Sequence, residues 1–464
     1  MVAPPPPLTR PRAPGVPRGR RKDHMTDFST LGLDGRLVDA VKAAGYTKPT
    51  PIQTQAIPLA TQGRDVLGLA QTGTGKTAAF GLPLVQALLE ANKRPQPKSV
   101  RALVLAPTRE LANQIADTMK PYVAGTPIRV GVVVGGQSLN RQANMLSRGL
   151  DLLVATPGRL IDLMDRGAVD LGQTRFLVLD EADQMLDMGF IHALRRIAPK
   201  LGTPRQTMLF SATMPKEMES LAATYLTNPA RVQVNPPGIA ADKVEQEMWW
   251  VPQADKADRL KELLAENLGA RSLVFARTKH GAERLMKGLV KAGFDAASIH
   301  GNKSQGQRDR ALKGFREGTV TVLVATDVAA RGIDVPEVAF VYNFDLPNVP
   351  ENYVHRIGRT ARAGRDGRAI SLVAHEEAGL LRDIQKVMGT QVPVMGGEAP
   401  RGPIPKTTPN GRAGSKQGKP GGRSRGPQKG GAPKGAKPKA DAPKGQPPKK
   451  PSRAKRPRVR QKAA

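Results

Sequence analysis

The chain has 464 residues, no cysteine, 6 histidines, 4% aromatic residues and a formal net charge of +32. Disulfides and thiolate metal sites are therefore excluded, the histidines lack HxxxH or HExxH spacing, and no apolar run approaches the roughly 18 residues of a membrane-spanning helix. A basic surplus of this size asks for a polyanionic partner: nucleic acid before anionic membrane, since no amphipathic anchor is visible, and a cytoplasmic location is expected.

Residues 1–24 are rich in proline and arginine, carry +5 and cannot bury a core, so they read as a disordered basic arm. Met25 opens the first stretch with helical apolar spacing and is a candidate translation start. From 25 to 235 short β-branched runs alternate with helical segments: Asp65 to Leu69, Arg101 to Leu105, Val130 to Val134, Asp151 to Val154, Phe176 to Leu179 and Thr207 to Phe210. Asn235-Pro236-Pro237-Gly238 breaks the pattern and marks a linker over 236–243. The alternation resumes over 244–395, in Arg271 to Phe275, Asp295 to Ile299, Val320 to Val324, Ala339 to Asn343 and Ala369 to Ala374. Such alternation predicts two α/β domains, each a mostly parallel sheet with helices on both faces. Residues 396–464 hold 20 Lys and Arg against Glu398 and Asp441, a charge of +18, with no Phe, Tyr or Trp. They read as a disordered basic tail that binds RNA.

Ala70-Gln71-Thr72-Gly73-Thr74-Gly75-Lys76-Thr77 has the spacing of a P-loop, with strand Asp65 to Leu69 before it and a helical pattern over Thr77 to Leu89 after it. Small residues let backbone N–H groups approach phosphate oxygens, the lysine neutralises their charge, and the hydroxyl after it ligates magnesium. Ala70 stands where the pattern has glycine and is tolerable if its φ stays negative. Asp180-Glu181-Ala182-Asp183 follows the apolar run Phe176 to Leu179, which places Asp180 to hold magnesium and Glu181 to deprotonate a water. The alternative, acids gathered at a helix N-terminus for dipole reasons, is weak behind a P-loop.

These residues resemble the DEAD-box RNA helicases of superfamily 2 over about 26–395, in wording nearest the bacterial RhlE-type group. Phe28 and, 17 residues on, Gly45-Tyr46 to Gln53 look like the family's Q motif, which implies that Phe28, Tyr46 and Gln53 contact the nucleotide, Gln53 reading the adenine edge. Pro107-Thr108-Arg109, Gly135-Gly136 and Thr156 to Arg159 (with Gly158) are similar to its first-domain RNA motifs. Arg277-Thr278, Gln305 with Arg308, and Thr326 are similar to those of the second. Ser211-Ala212-Thr213, Asp183 and His355 are implied to couple hydrolysis to strand separation, Asp334 to contact the ribose, and Arg359 and Arg362 to be arginine fingers, with RNA phosphate contact the alternative for either arginine. Ala361 departs from the family's usual glycine and stiffens the loop carrying Arg362. The resemblance implies two tandem RecA-like domains, ATP and Mg2+ as cofactors, and sequence-independent RNA binding with local duplex unwinding in ribosome assembly or RNA turnover. Ribosomal or RNA-decay proteins are implied partners of a monomer. Rival readings are a DNA-translocating relative, an ATP-gated RNA clamp or annealing chaperone, and a structural ribonucleoprotein component. Trp249-Trp250 is expected to pack one ring inward.

Overall fold

The computed structural model describes residues 27–71, 73–234, 244–330, 338–361 and 366–399. The arm 1–24, Thr72, the linker 236–243, Asp334, Arg362 and the tail beyond 399 lie outside the described residues. Among the described residues, two seven-stranded parallel sheets form. The first contains β1 Val66–Leu69, β2 Val100–Leu105, β3 Val130–Val133, β4 Leu150–Ala155, β5 Phe176–Leu179, β6 Gln206–Ser211 and β7 Ala230–Gln233. The second contains β8 Val244–Trp250, β9 Ser272–Phe275, β10 Ala296–Ile299, β11 Val322–Ala325, β12 Phe340–Asn343, β13 Gly367–Val373 and β14 Val394–Gly396. The orders are β3-β4-β2-β5-β6-β1-β7 and β10-β11-β9-β12-β13-β8-β14. Counted from its own first strand, the second sheet repeats the order of the first.

Helices cover both faces of each sheet, so the strands are apolar on both sides. In β2, Ala102 and Val104 enter one core with Val178 and Met208, while Leu103 and Leu105 enter the other with Leu177 and Leu179. Leu273 and Phe275 of β9 likewise face one core and Val274 the opposite one. A Cβ on Gly68 would lie 2.5 Å from the Phe210 ring, so the absence of a side chain in β1 lets Phe210 cross it and meet Phe80, with ring centroids 5.6 Å apart.

The anticipated runs agree with the strands to within two residues. β7, β8 and β14 were not among the anticipated runs, and β7 and β14 fill the same place, the edge beside the first strand of the sheet. They are short and incompletely buried, and thus lack the continuous apolar run that marks an interior strand. β14 also carries the second domain past the expected boundary at 395, pairing with β8 through Val394 and Gly396. Neither tryptophan is wholly inward: Trp249 stacks on the Arg259 guanidinium at 4.0 Å, and Trp250 meets the His375 ring edge-on at 6.2 Å. No helix among the described residues is long and apolar enough to cross a membrane.

One buried pair organises the second domain. Lys256 opens the helix Lys256–Ala265 that follows β8; its Nζ donates to Glu377 Oε2 at 2.5 Å and to Phe344 O at 2.8 Å. The Glu377 carboxylate also accepts from Arg277 Nη2, Leu346 N and Ala374 N.

Candidate functional site

In a parallel sheet the loops at the carboxyl ends of the strands gather on one edge, and every expected motif of the first domain except that of Phe28, Tyr46 and Gln53, which precede β1, leaves that edge. β1 runs into Ala70, β5 into Asp180 and β6 into Ser211, so the presumed nucleotide groups share one half. β2, β4 and β3 run into Pro107, Thr156 and Val134, so the presumed RNA groups share the other. In the second sheet β9 leads to Arg277, β11 to Thr326 and the helix Glu351–Ile357 to Arg359.

Lys76 is the first residue of the helix Lys76–Glu90, and Gly75 before it holds φ 90°. Gly73 is also left-handed, at φ 83°, whereas Ala70 stays out of that region. The Lys76 ammonium is turned back onto Ala70 O at 3.1 Å, with Asp180 Oδ1 at 4.0 Å. Thr74 Oγ1 donates to Gln71 O at 2.8 Å, and Thr77 lies half-buried on the first helical turn. Gln53 is buried between the two elements: its Oε1 accepts from Thr50 N at 2.9 Å and its Nε2 donates to Gly75 O at 3.0 Å.

Glu181 is 2% exposed, and neither carboxylate oxygen has a hydrogen-bond partner among the described residues. Its backbone is left-handed, with φ 50° and ψ 50°. Burial pushes the carboxyl up to about 7, against the pull of Lys76 and, more weakly, of Arg359 in the second domain. Burial raises Asp180 as well, opposed by Lys76 and by the Glu181 N–H that its Oδ1 accepts at 3.0 Å. Asp183 is fully occupied: Oδ2 accepts from Ala212 N, Thr213 N and Thr213 Oγ1 at 3.0–3.1 Å. Ser211 Oγ does not join it, donating instead to Thr213 O at 2.7 Å.

On the other half, Thr108 caps the helix Arg109–Val123 by accepting from Leu111 N. The Arg109 guanidinium lies across the Gly135-Gly136 turn, where a Cβ on Gly136 (φ 77°) would fall 2.1 Å from Nη1. From there Nη1 donates to Gln305 Oε1 of the second domain at 3.1 Å, and beside it Glu110 pairs with Arg308 at 2.8 Å. Thr156 and Gly158 open the helix Pro157–Asp165; Arg159 Nη1 donates to Gln137 O at 2.9 Å. Thr278 caps the helix Lys279–Lys291. Pro107 and Thr326 sit at their strand ends.

Several of the expected residues have partners or surroundings of their own. Phe28, expected at the nucleotide, is 1% exposed and packs inside the first core. Tyr46, from the same motif, is 40% exposed. Gln305 and Arg308 meet Arg109 and Glu110, a donor–acceptor pair beside a pair of opposite charges. Arg277 is held by Glu377 and Leu346 O. Sequence reasoning missed Arg356, between the expected His355 and Arg359. It is buried, forks onto Asp327 (2.5 and 2.8 Å) and donates to Asn343 Oδ1 and Asp345 O. Arg359 Nε donates to His355 O at 3.2 Å, while Asp334, Arg362 and Thr72 lie outside the described residues.

Comparisons with known proteins agree with this arrangement. Residues 50–221 match the DEAD/DEAH box helicase family and residues 255–364 the helicase conserved C-terminal domain. The chain is 42% identical over 362 residues to the ATP-dependent RNA helicase CshA of Listeria monocytogenes, covering 78% of this chain and 69% of that protein. It is 43% identical over 362 residues to the DEAD-box ATP-dependent RNA helicase CshA of Geobacillus kaustophilus, covering 78% and 76%. Its fold is similar to S. cerevisiae Dbp5 bound to RNA and ADP BeF3, with TM-score 0.70, 33% identity and coverage of 80% of this chain and 95% of that one. It is also similar to Mss116p bound to ssRNA and AMP-PNP, with TM-score 0.71, 28% identity and coverage of 80% and 78%. With both RecA-like domains matched, the chain belongs to the DEAD-box family of ATP-dependent RNA helicases.

Proposed function

We propose that Glu181 is the general base of ATP hydrolysis and that the opening and closing of the two domains around ATP and RNA unwinds short duplexes locally. The observation that carries this is the Glu181 carboxylate, buried, without a partner and raised to about 7. An orphaned carboxylate costs stability, and a base with a pKa near the working pH is what water activation needs. Lys76, already within 4.0 Å of Asp180, moves from Ala70 O to the β/γ-phosphates. Thr77 and Asp180 fit a magnesium ion, because Asp180 is buried with one N–H and one distant ammonium and lacks a close cation. A magnesium ion held there would supply positive charge against the transferring phosphoryl group. Arg359 reaches Glu181 by its field and takes the arginine-finger role, with Arg362 and Asp334 assigned to finger and ribose by resemblance. Asp183, through Ala212 and Thr213, carries the state of the base to the SAT segment.

Arg109, Arg159 and Arg308 face Glu110 and Asp162 near the mouth of the cleft, an excess of one cation that suits a phosphate. Backbone contacts of this kind do not read sequence. The RhlE-like wording supports a role in ribosome assembly or RNA turnover, for a monomer acting in the cytoplasm with ribosomal or RNA-decay proteins as partners. In single-turnover and steady-state assays Glu181→Gln lowers RNA-stimulated turnover by about 100-fold or more while keeping RNA bound in the presence of ATP. Lys76→Ala loses ATP-dependent RNA retention altogether. Wild-type turnover by Glu181→Gln would falsify the assignment of the base.

A further inference from the structure

We propose that Gln142 is a positioning residue for RNA binding, fixing the Gly135-Gly136 turn and the Arg159 guanidinium in one register so that both grip the same phosphate backbone. The inference rests on the RNA reading of this face given above.

Gln142 lies in the first turn of the helix Leu139–Leu146, which begins directly after the glycine turn, capped by Ser138. Helical side chains lean toward the helix N-terminus, so this residue curls back over the turn that precedes it. It is 4% exposed. Its Nε2 donates to Val134 O at 2.9 Å, the carbonyl just before Gly135. Its Oε1 accepts from Arg159 Nη1 at 3.3 Å, and that nitrogen also donates to Gln137 O at 2.9 Å. A buried amide must pair both ends, and here both are spent on segments that face the cleft rather than on the sheet. The far side of the same turn carries Arg109, packed against Gly135 and Gly136. The turn is thus clamped between two guanidinium groups, and Gln142 ties it to one of them.

The test uses the full chain and a uridylate oligomer as the RNA. Gln142→Met keeps length and volume but removes both hydrogen bonds. It raises KM for the oligomer about tenfold while kcat at saturating RNA and KM for ATP stay within about twofold. The double variant with Arg159→Ala loses less than the two single losses combined, since part of the amide's effect runs through that arginine. Additive losses, an unchanged KM for RNA, or a joint fall of kcat and rise of both KM values overturns the proposal. If Gln142→Met does not fold, Gln142→Glu serves instead. It keeps an acceptor for Arg159 but turns an oxygen toward Val134 O, and a KM for RNA equal to wild type overturns the proposal. If Arg109→Ala and Arg159→Ala both leave KM for RNA unchanged, the RNA reading of this face falls and the proposal with it. If they raise KM and Gln142→Met does not, only the positioning role falls.

Discussion

Glu181 and Ala361 both hold left-handed backbone, at φ 50° and φ 53°, which costs an L-residue about 1–2 kcal/mol. At Glu181 the strain sits under a buried carboxylate with no partner, and strain of this kind gathers at reacting groups. Its carboxyl titrates at about 7 in the fold against an ordinary 4.5. The folded state therefore holds a proton that the unfolded chain releases, so this contribution to stability is full below 4.5 and is lost as pH rises through about 7. Glu181→Gln is expected to raise the stability of the nucleotide-free protein at pH ~8 by on the order of 1–3 kcal/mol, a gain that shrinks on acidification; thermal melts across pH measure it. The same titration makes kcat/KM for ATP fall below about pH 7 in the wild type, because only the ionised base accepts a proton. At Ala361 nothing comparable offsets the strain. Ala361→Gly relieves it at some cost in unfolded-state entropy, so a net gain of up to about 1 kcal/mol is expected in denaturant titrations.

The loops at the strand ends were legible in the sequence because each motif needs a fixed chemistry at a fixed spacing: Lys76 after the glycines, Asp180 after an apolar strand, Ser211 after another. What the sequence did not disclose was which polar groups spend themselves on each other. Arg356 is the same residue type as Arg359 and sits three positions before it, yet its partner Asp327 is brought to it only by the fold. Gln142 drew no reading from the sequence for the same reason, since burial is a property of the packed chain. Gln53 shows how a partner can refine a role. One N–H and one lone pair of its amide are taken by Gly75 O and Thr50 N, which fixes the amide's orientation. The second N–H and the second lone pair remain for an adenine edge. Gln53→Ala is therefore expected to lower the ratio of kcat/KM for ATP over GTP and also to loosen the P-loop, seen as faster amide exchange at Gly75 and Lys76. Unchanged selectivity with faster exchange would leave Gln53 as a strap alone.

At the scale of the molecule, Arg109–Gln305 and Glu110–Arg308 join the two domains through groups expected to face RNA. On the proposed RNA role of these groups, binding and domain contact would draw on the same side chains, and each ligand that favours the closed form would strengthen the other. The tail, with no aromatic residue, is expected to bind RNA by charge. β14 and the residues to Ala399 pack on the second domain, so the informative truncation removes 400–464, which carries +19. Each phosphate neutralised on a single strand releases about 0.7 of a counterion. The full chain should show a steeper fall of log RNA affinity with log salt than the truncated one, with unrelated sequences bound alike; equal slopes would rule out an electrostatic tether. The repeated strand order carries one more consequence. β8 stands where β1 does, and the helix after each begins with a buried lysine, Lys76 in one and Lys256 in the other. In the second copy the glycines are gone and Glu377 already supplies the negative charge. The two halves read as duplicates of one ancestral module, of which the second carries its own internal counter-anion where the first awaits a phosphate. In the second half a carboxylate already neutralises that ammonium, so Lys256 is not expected to take a nucleotide phosphate.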